Sequence, residues 1–193
     1  MELEGPQFVR KPATPILGMF WGGCLSFARS TMIQDVPFDP HCDFVFLGEE
    51  LSMAARLWTH GYDLYHPREM IVYHMWERNR PTYWQLFNNN KDEAHRTRQA
   101  LEAEGYKRIE TLLRMRDAQS TLLPPYGLGT ARTLEEYENL IGIKLRTRQI
   151  VSLSGIMGVP DRSSAADILC KFGTWKNFEN AKKQLTNQIT TTK

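Results

Sequence analysis

The sequence has only three cysteines, Cys24, Cys42 and Cys170, and no CxxC pair among them. An odd number without paired spacing argues against a disulfide framework and a four-thiolate zinc site. It favours a reducing compartment, the cytoplasm over the Golgi lumen. Long apolar runs are missing too: no stretch of about eighteen apolar residues occurs, so no transmembrane segment is expected in this chain. Nor is there a surplus of one charge. With 24 basic and 22 acidic side chains the formal charge is +2, too even for nucleic acid or an anionic membrane as the main partner. A Walker A loop, a GxGxxG turn and an HExxH helix are all absent. Phosphate-loop, dinucleotide and self-contained zinc-hydrolase chemistries therefore lose their usual carriers.

What is present is the material of a core. Hydrophobic residues make up 41% of the 193 positions, with five tryptophans and nine phenylalanines, enough for one ordinary domain with a sizeable core, or a domain plus an appendage. The apolar run Ile16 to Phe27 is broken by Gly18 and Gly22-Gly23, which predicts a strand with a bulge or a close backbone approach. Val36-Pro37-Phe38-Asp39-Pro40 predicts a turn, because each proline fixes its own φ and restricts its predecessor. From Glu49 to His60, Leu51, Ala55 and Trp58 recur at helical spacing and Gly61 supplies a stop. Burying Leu51 and Trp58 would contribute roughly 2 kcal/mol each, with Glu49, Ser52, Met53 and Arg56 on the opposite side.

Short strands are expected at Asp63–Tyr65 and Met70–His74, around a turn at Pro67. Further on, a charged helix from Lys91 to Glu104 is expected to end at Gly105, with a second helix from Lys107 to Met115. Leu123 to Gly129 reads as a loop. Thr133 and Glu136 fit a capping box worth about 1 kcal/mol, with Gly142 closing that helix. A second capping pattern at Ser164–Asp167 predicts a helix ending near Gly173, before a frayed tail.

The residues able to carry chemistry gather between Phe46 and Trp84. Glu49 and Glu50 stand in the first turn of the expected helix, where the dipole favours each by about 0.3–1 kcal/mol. That gain alone explains an acidic pair. A functional reading needs one carboxylate in a cleft, accepting a hydrogen bond from a substrate hydroxyl or acting as a base. Arg56, two turns after Glu49, fits either a surface ion pair or an arginine orienting that carboxylate or a diphosphate. His74 ends a strand-like run, and Arg78 follows four residues later. A lone histidine at a strand end is more often structural than a metal ligand.

In order, Arg10-x-Pro12, Trp21 to Ala28, Val36 to Pro40, Phe46-Leu47-Gly48-Glu49-Glu50, Arg56 to Pro67 and His74-Met75-Trp76-Glu77-Arg78 resemble glycosyltransferase family 60. These are the polypeptide α-N-acetylglucosaminyltransferases that modify hydroxyproline, serine or threonine. Gly127-Leu128-Gly129-x-x-Arg132-Thr133-Leu134-x-x-Tyr137 is similar to that family's carboxy-terminal signature. The likeness runs from Arg10 to Gly142, and its skeleton is similar to the mucin-type polypeptide N-acetylgalactosaminyltransferases.

The resemblance implies an α/β fold: the acceptor-side half of an incomplete GT-A (Rossmann-like) domain over residues 1–90. A helical extension over 91–150 and a helical tail over 151–193 would follow. It implies a UDP-GlcNAc donor, a polypeptide acceptor, no nucleic acid, and a divalent metal, Mn2+ or Mg2+. His74 would bind the metal and Glu49 or Glu50 would be catalytic. Trp21, Gly22, Gly23, Arg56 and Arg78 would bind substrate, while Trp58 would pack. The chain has no DxD carboxylate pair, and the resemblance implies that the nucleotide-binding half precedes Arg10. The 193-residue chain alone is therefore expected to transfer weakly or not at all. The competing expectation is a non-catalytic module that binds a glycopeptide or a partner protein.

Overall fold

The computed structural model describes residues 15–69, 71–73, 93–116 and 124–152, with positions 180, 183, 184 and 187. The elements in chain order are β1 (Ile16–Gly18), α1 (Thr31–Asp35), α2 (Glu49–Thr59), β2 (Leu64–His66), α3 (Glu93–Leu112), α4 (Leu134–Ile141), β3 (Ile143–Lys144) and β4 (Gln149–Ile150). β1 and β2 pair antiparallel, Ile16 opposite His66 and Gly18 opposite Leu64. β3 and β4 form a second antiparallel ribbon, Ile143 opposite Ile150. The described residues thus mix helices with two short antiparallel ribbons.

α2 is the centre of the packing. Leu51, Ala54 and Ala55 enter one buried cluster with Met19, Ile109, Leu113, Leu134, Tyr137, Ile141, Ile143 and Leu145. Met53 and Leu57 enter another with Met32 and Val36. The expectation of one buried and one polar side is therefore corrected: Met53 and Arg56 are each only 3% exposed. Helix periodicity marks the positions apolar enough to be buried, but α3 and α4 press one side of this helix while α1 presses another. The bounds of α2 agree closely with the sequence expectation, and Gly61 beyond it has φ +93.

Three other expectations are corrected. The run Ile16 to Phe27 is a strand only to Gly18, after which the chain turns through Gly23-Cys24. Residues 71–73 are not strand, and Tyr73 is 86% exposed. The two helices expected on either side of Gly105 are one continuous helix, α3. Gly105 does not end it because the glycine makes room for a neighbour. A Cβ there would lie 2.5 Å from Val45 Cγ2 and 3.3 Å from the Cys42 Cα. A helix-interior glycine kept for close approach looks, in sequence, like a stop. The expected helix at Ser164–Gly173 lies outside the described residues.

The start of α4 follows its sequence closely. The Thr133 hydroxyl accepts from the Glu136 N–H at 3.0 Å, and the Glu136 carboxylate accepts from the Thr133 N–H at 2.6 Å. Gly142 closes the helix in the left-handed region, φ +66. Within the core, Tyr137 is 1% exposed and its hydroxyl donates to the Met19 carbonyl at 2.9 Å. That bond joins α4 to the residue leaving β1. Tyr137→Phe is expected to lower stability by about 1–2 kcal/mol, because a buried carbonyl loses its partner. A urea midpoint equal to that of the wild type would contradict it.

Candidate functional site

The first turn of α2 and the turn after β1 are brought together. Gly48 enters the helix at φ +102, a left-handed conformation that glycine adopts without the Cβ penalty. It provides no side-chain cap, so the next two carboxylates stand at a positively polarised helix end. Glu50 uses its carboxylate there: Oε1 accepts from the Gly23 N–H at 2.7 Å, across 27 residues of sequence. Gly23 is held closely, since a Cβ on it would lie 3.4 Å from Glu50 Oε1 and 3.4 Å from the Trp21 ring. Gly22 differs, with nothing within 4 Å of where its Cβ would be. The turn therefore has a tied side at Gly23 and an open side at Gly22.

Glu49 is placed differently. Its Oε2 is buried and accepts no hydrogen bond. Burial pushes its pKa above the ordinary carboxylate value, and the neighbouring Glu50 charge adds to the rise. Backbone N–H groups of Glu49 and Glu50 work in the other direction, and desolvation prevails. Trp21 contributes a second unengaged group, a buried indole N–H, while its ring sits 6.0 Å from Phe38. Glu49, Glu50, Trp21, Gly22 and Gly23 thus all belong to the facing starts of two segments.

Arg56 points elsewhere. Its Nη2 donates to the Pro125 carbonyl at 3.0 Å, and the ion pair with Glu49 that the spacing allowed is not made. Burial lowers its pKa from the usual guanidinium value, and Asp39 is the nearby charge that most opposes the shift. Asp39 itself is bonded to Arg108 at 2.5 Å. At 3% exposure Arg56 has almost no surface to offer a substrate. Asp39, Arg108 and Tyr126 around it come from three separate segments, and no spacing in the sequence announces them. His74 and Arg78 lie outside the described residues.

The Gly127–Arg132 segment locks the other end of α2. The Thr59 carbonyl accepts from the Ala131 and Arg132 N–H groups, at 3.0 and 3.2 Å. The Thr59 hydroxyl accepts from the Gly129 N–H at 2.9 Å. Arg132 lies 4.1 Å over the Trp58 ring and pairs with Asp63 at 2.8 Å. Trp58 packs, as expected. The Thr59 carbonyl, one of those a helix end leaves unsatisfied, is met here by a segment about seventy residues away.

The two described cysteines, Cys24 and Cys42, are free thiols. Burial raises the Cys42 thiol to about 11, and the Asp39 carboxylate adds to the rise. Only the thiolate alkylates. At neutral pH Cys42 is therefore expected to label on the order of 100-fold more slowly than an ordinary exposed thiol, with exposed Cys24 as the reference. Peptide-resolved mass spectrometry after timed maleimide exposure measures both, and equal rates would refute the expectation.

Among the described residues no group of three His, Cys, Asp or Glu side chains is placed to hold a metal ion. Glu49 offers one unengaged buried oxygen, and one ligand is not a metal site. The described residues therefore do not fit a cation by themselves. No described helix is long and apolar enough to cross a membrane.

The class to which this arrangement belongs is the sugar transferases: a family model described as Glycosyltransferase (GlcNAc) matches residues 6–147. The match spans most of the sequence, and the chain belongs to this glycosyltransferase (GlcNAc) family. Its general activity is transfer of GlcNAc between a sugar donor and an acceptor. Comparison with curated proteins gave no match, and comparison with solved structures gave none.

Proposed function

We propose that the protein transfers N-acetylglucosamine from UDP-GlcNAc to a polypeptide hydroxyl, on hydroxyproline or on serine or threonine, within a GT-A scaffold. The family match over residues 6–147 carries this reading, and the geometry around α2 supports it. Transfer breaks the bond between the anomeric carbon and the phosphate oxygen, which leaves with the electron pair. It forms a bond from that carbon to the acceptor oxygen, whose proton must depart. The anomeric centre passes through an oxocarbenium-like state that a nearby carboxylate stabilises. Glu49, with a buried oxygen lacking a donor, is the group suited to accept a hydrogen bond from a sugar or acceptor hydroxyl. The open side of Gly22 leaves room for a ligand to approach the backbone. Arg78, near the diphosphate, belongs to the same reading.

The test is transfer of radiolabelled N-acetylglucosamine from UDP-GlcNAc to hydroxyproline, serine and threonine peptides by the natural gene product. Label in one acceptor class supports the reading, and no label in any peptide or protein acceptor overturns it. A divalent cation, manganese or magnesium, with His74 as a ligand is part of the proposal. Chelation is then expected to abolish transfer and manganese to restore it, with His74→Ala raising the manganese requirement at least about tenfold. Metal dependence unchanged by His74→Ala would remove that residue from the site.

A further inference from the structure

The two carboxylates of the first turn of α2 do not share one task. Glu49 keeps a buried oxygen without a donor, whereas Glu50 is engaged across the chain with the Gly23 N–H at 2.7 Å. A carboxylate accepting from a backbone N–H makes one of the stronger hydrogen bonds available. Here it links a turn with no regular structure of its own to α2, the best-buried of the described helices. The other side of Gly23 is bounded by the Trp21 ring, 3.4 Å from where a Cβ would stand. The turn is therefore gripped between an indole and a carboxylate at Gly23 and left open at Gly22. We infer that Glu50 is a positioning residue: it fixes the Gly22–Gly23 turn so that the open face of Gly22 meets the donor sugar, while Glu49 alone faces substrate.

This inference rests on the proposed sugar-transfer reading for its kinetic consequence, but not for the tether. Both Glu50→Ala and Glu50→Gln test it, because glutamine keeps an oxygen acceptor of the same length. Two readouts are needed. Hydrogen exchange followed by mass spectrometry, over peptides covering Phe20 to Leu25, reads the tether directly and requires no activity. Exchange there is expected to rise at least about fivefold in Glu50→Ala and to recover toward wild type in Glu50→Gln, with peptides of α4 unchanged. In the transfer assay Glu50→Ala is expected to raise the KM for UDP-GlcNAc by about tenfold and to lower kcat by less, with glutamine partly rescuing KM. A catalytic carboxylate would give the opposite split, a lost kcat that glutamine does not rescue.

Unchanged exchange at Phe20–Leu25 in Glu50→Ala overturns the tether. Faster exchange with unaltered kinetic constants overturns the positioning role. If the wild type transfers no sugar at all, the proposed function fails, and the exchange result still decides the tether on its own.

Discussion

Gly129→Ala is expected to destabilise the protein by about 3 kcal/mol, the sum of about 2 for overpacking and about 1 for a weakened hydrogen bond. A Cβ at that position would stand 2.5 Å from the Thr59 carbonyl oxygen, 2.6 Å from its carbon and 2.7 Å from the His60 nitrogen. All three atoms are backbone at the end of α2, so relief requires the helix end or the whole Gly127–Arg132 segment to move. Movement weakens the Gly129 N–H to Thr59 hydroxyl bond and the two N–H bonds to the Thr59 carbonyl. It also disturbs Arg132 over Trp58. A loss of this size lowers the melting temperature of a chain this long by about 10 °C. Gly22→Ala is the control, since nothing lies within 4 Å of its Cβ; its stability is expected within about 0.5 kcal/mol of wild type. Equal urea midpoints for Gly129→Ala and wild type would show that the lock does not hold α2.

The contrast between Gly129 and Gly105 explains part of what was legible in the sequence. Both sit against a neighbour 2.5 Å from a notional Cβ. Gly105, within α3, meets the side-chain tip of Val45; Gly129 meets a helix terminus. Sequence marks a glycine but not what approaches it, so Gly105 reads as a stop. The elements that follow from local rules were legible: the capping box at Thr133 and Glu136, the αL glycine at 142, and the span of α2. Each needs only residues a few positions apart. The ribbon β3–β4 has strands of two residues each, below any period that a pattern reveals.

The same division runs through the site. That Glu49 and Glu50 begin a helix was legible, because Gly48 precedes them and the apolar spacing follows. That one is tied to Gly23 and the other is not was illegible, because the tie spans 27 residues. Arg56 shows the limit most clearly. Its spacing from Glu49 invites an ion pair on one helix face, yet the side chain is drawn to a carbonyl 69 residues away. Its surroundings, Asp39 with Cys42, Arg108 and Tyr126, come from three places in the chain. Order along the chain gave the family resemblance, and the match over residues 6–147 supports a GlcNAc transferase.

Glu49→Gln is expected to separate activity from stability. On the proposed reading, removing the charge at this carboxylate lowers transfer by about 100-fold or more, the range expected for a positioned acid–base or charge-stabilising group. Stability should move in the other direction. The folded pKa of Glu49 is raised above the ordinary carboxylate value, chiefly by burial, so the native state holds this proton more tightly than the unfolded chain does. Over the window where the unfolded chain has ionised and the native group has not, stability falls as pH rises, and the loss persists at neutral pH. Glutamine has the same shape without the charge, and a neutral amide costs less to bury than a carboxylate. At pH 7 the urea midpoint of Glu49→Gln is therefore expected to equal or exceed that of wild type, and its advantage should vanish below pH 4. A lower midpoint at pH 7 would show that the ionised carboxylate supports the fold. Unimpaired transfer with a raised midpoint would leave Glu49 merely desolvated and take it out of the reaction. Lost transfer with an undiminished midpoint is the signature of a carboxylate oxygen left without a donor because its partner is the substrate.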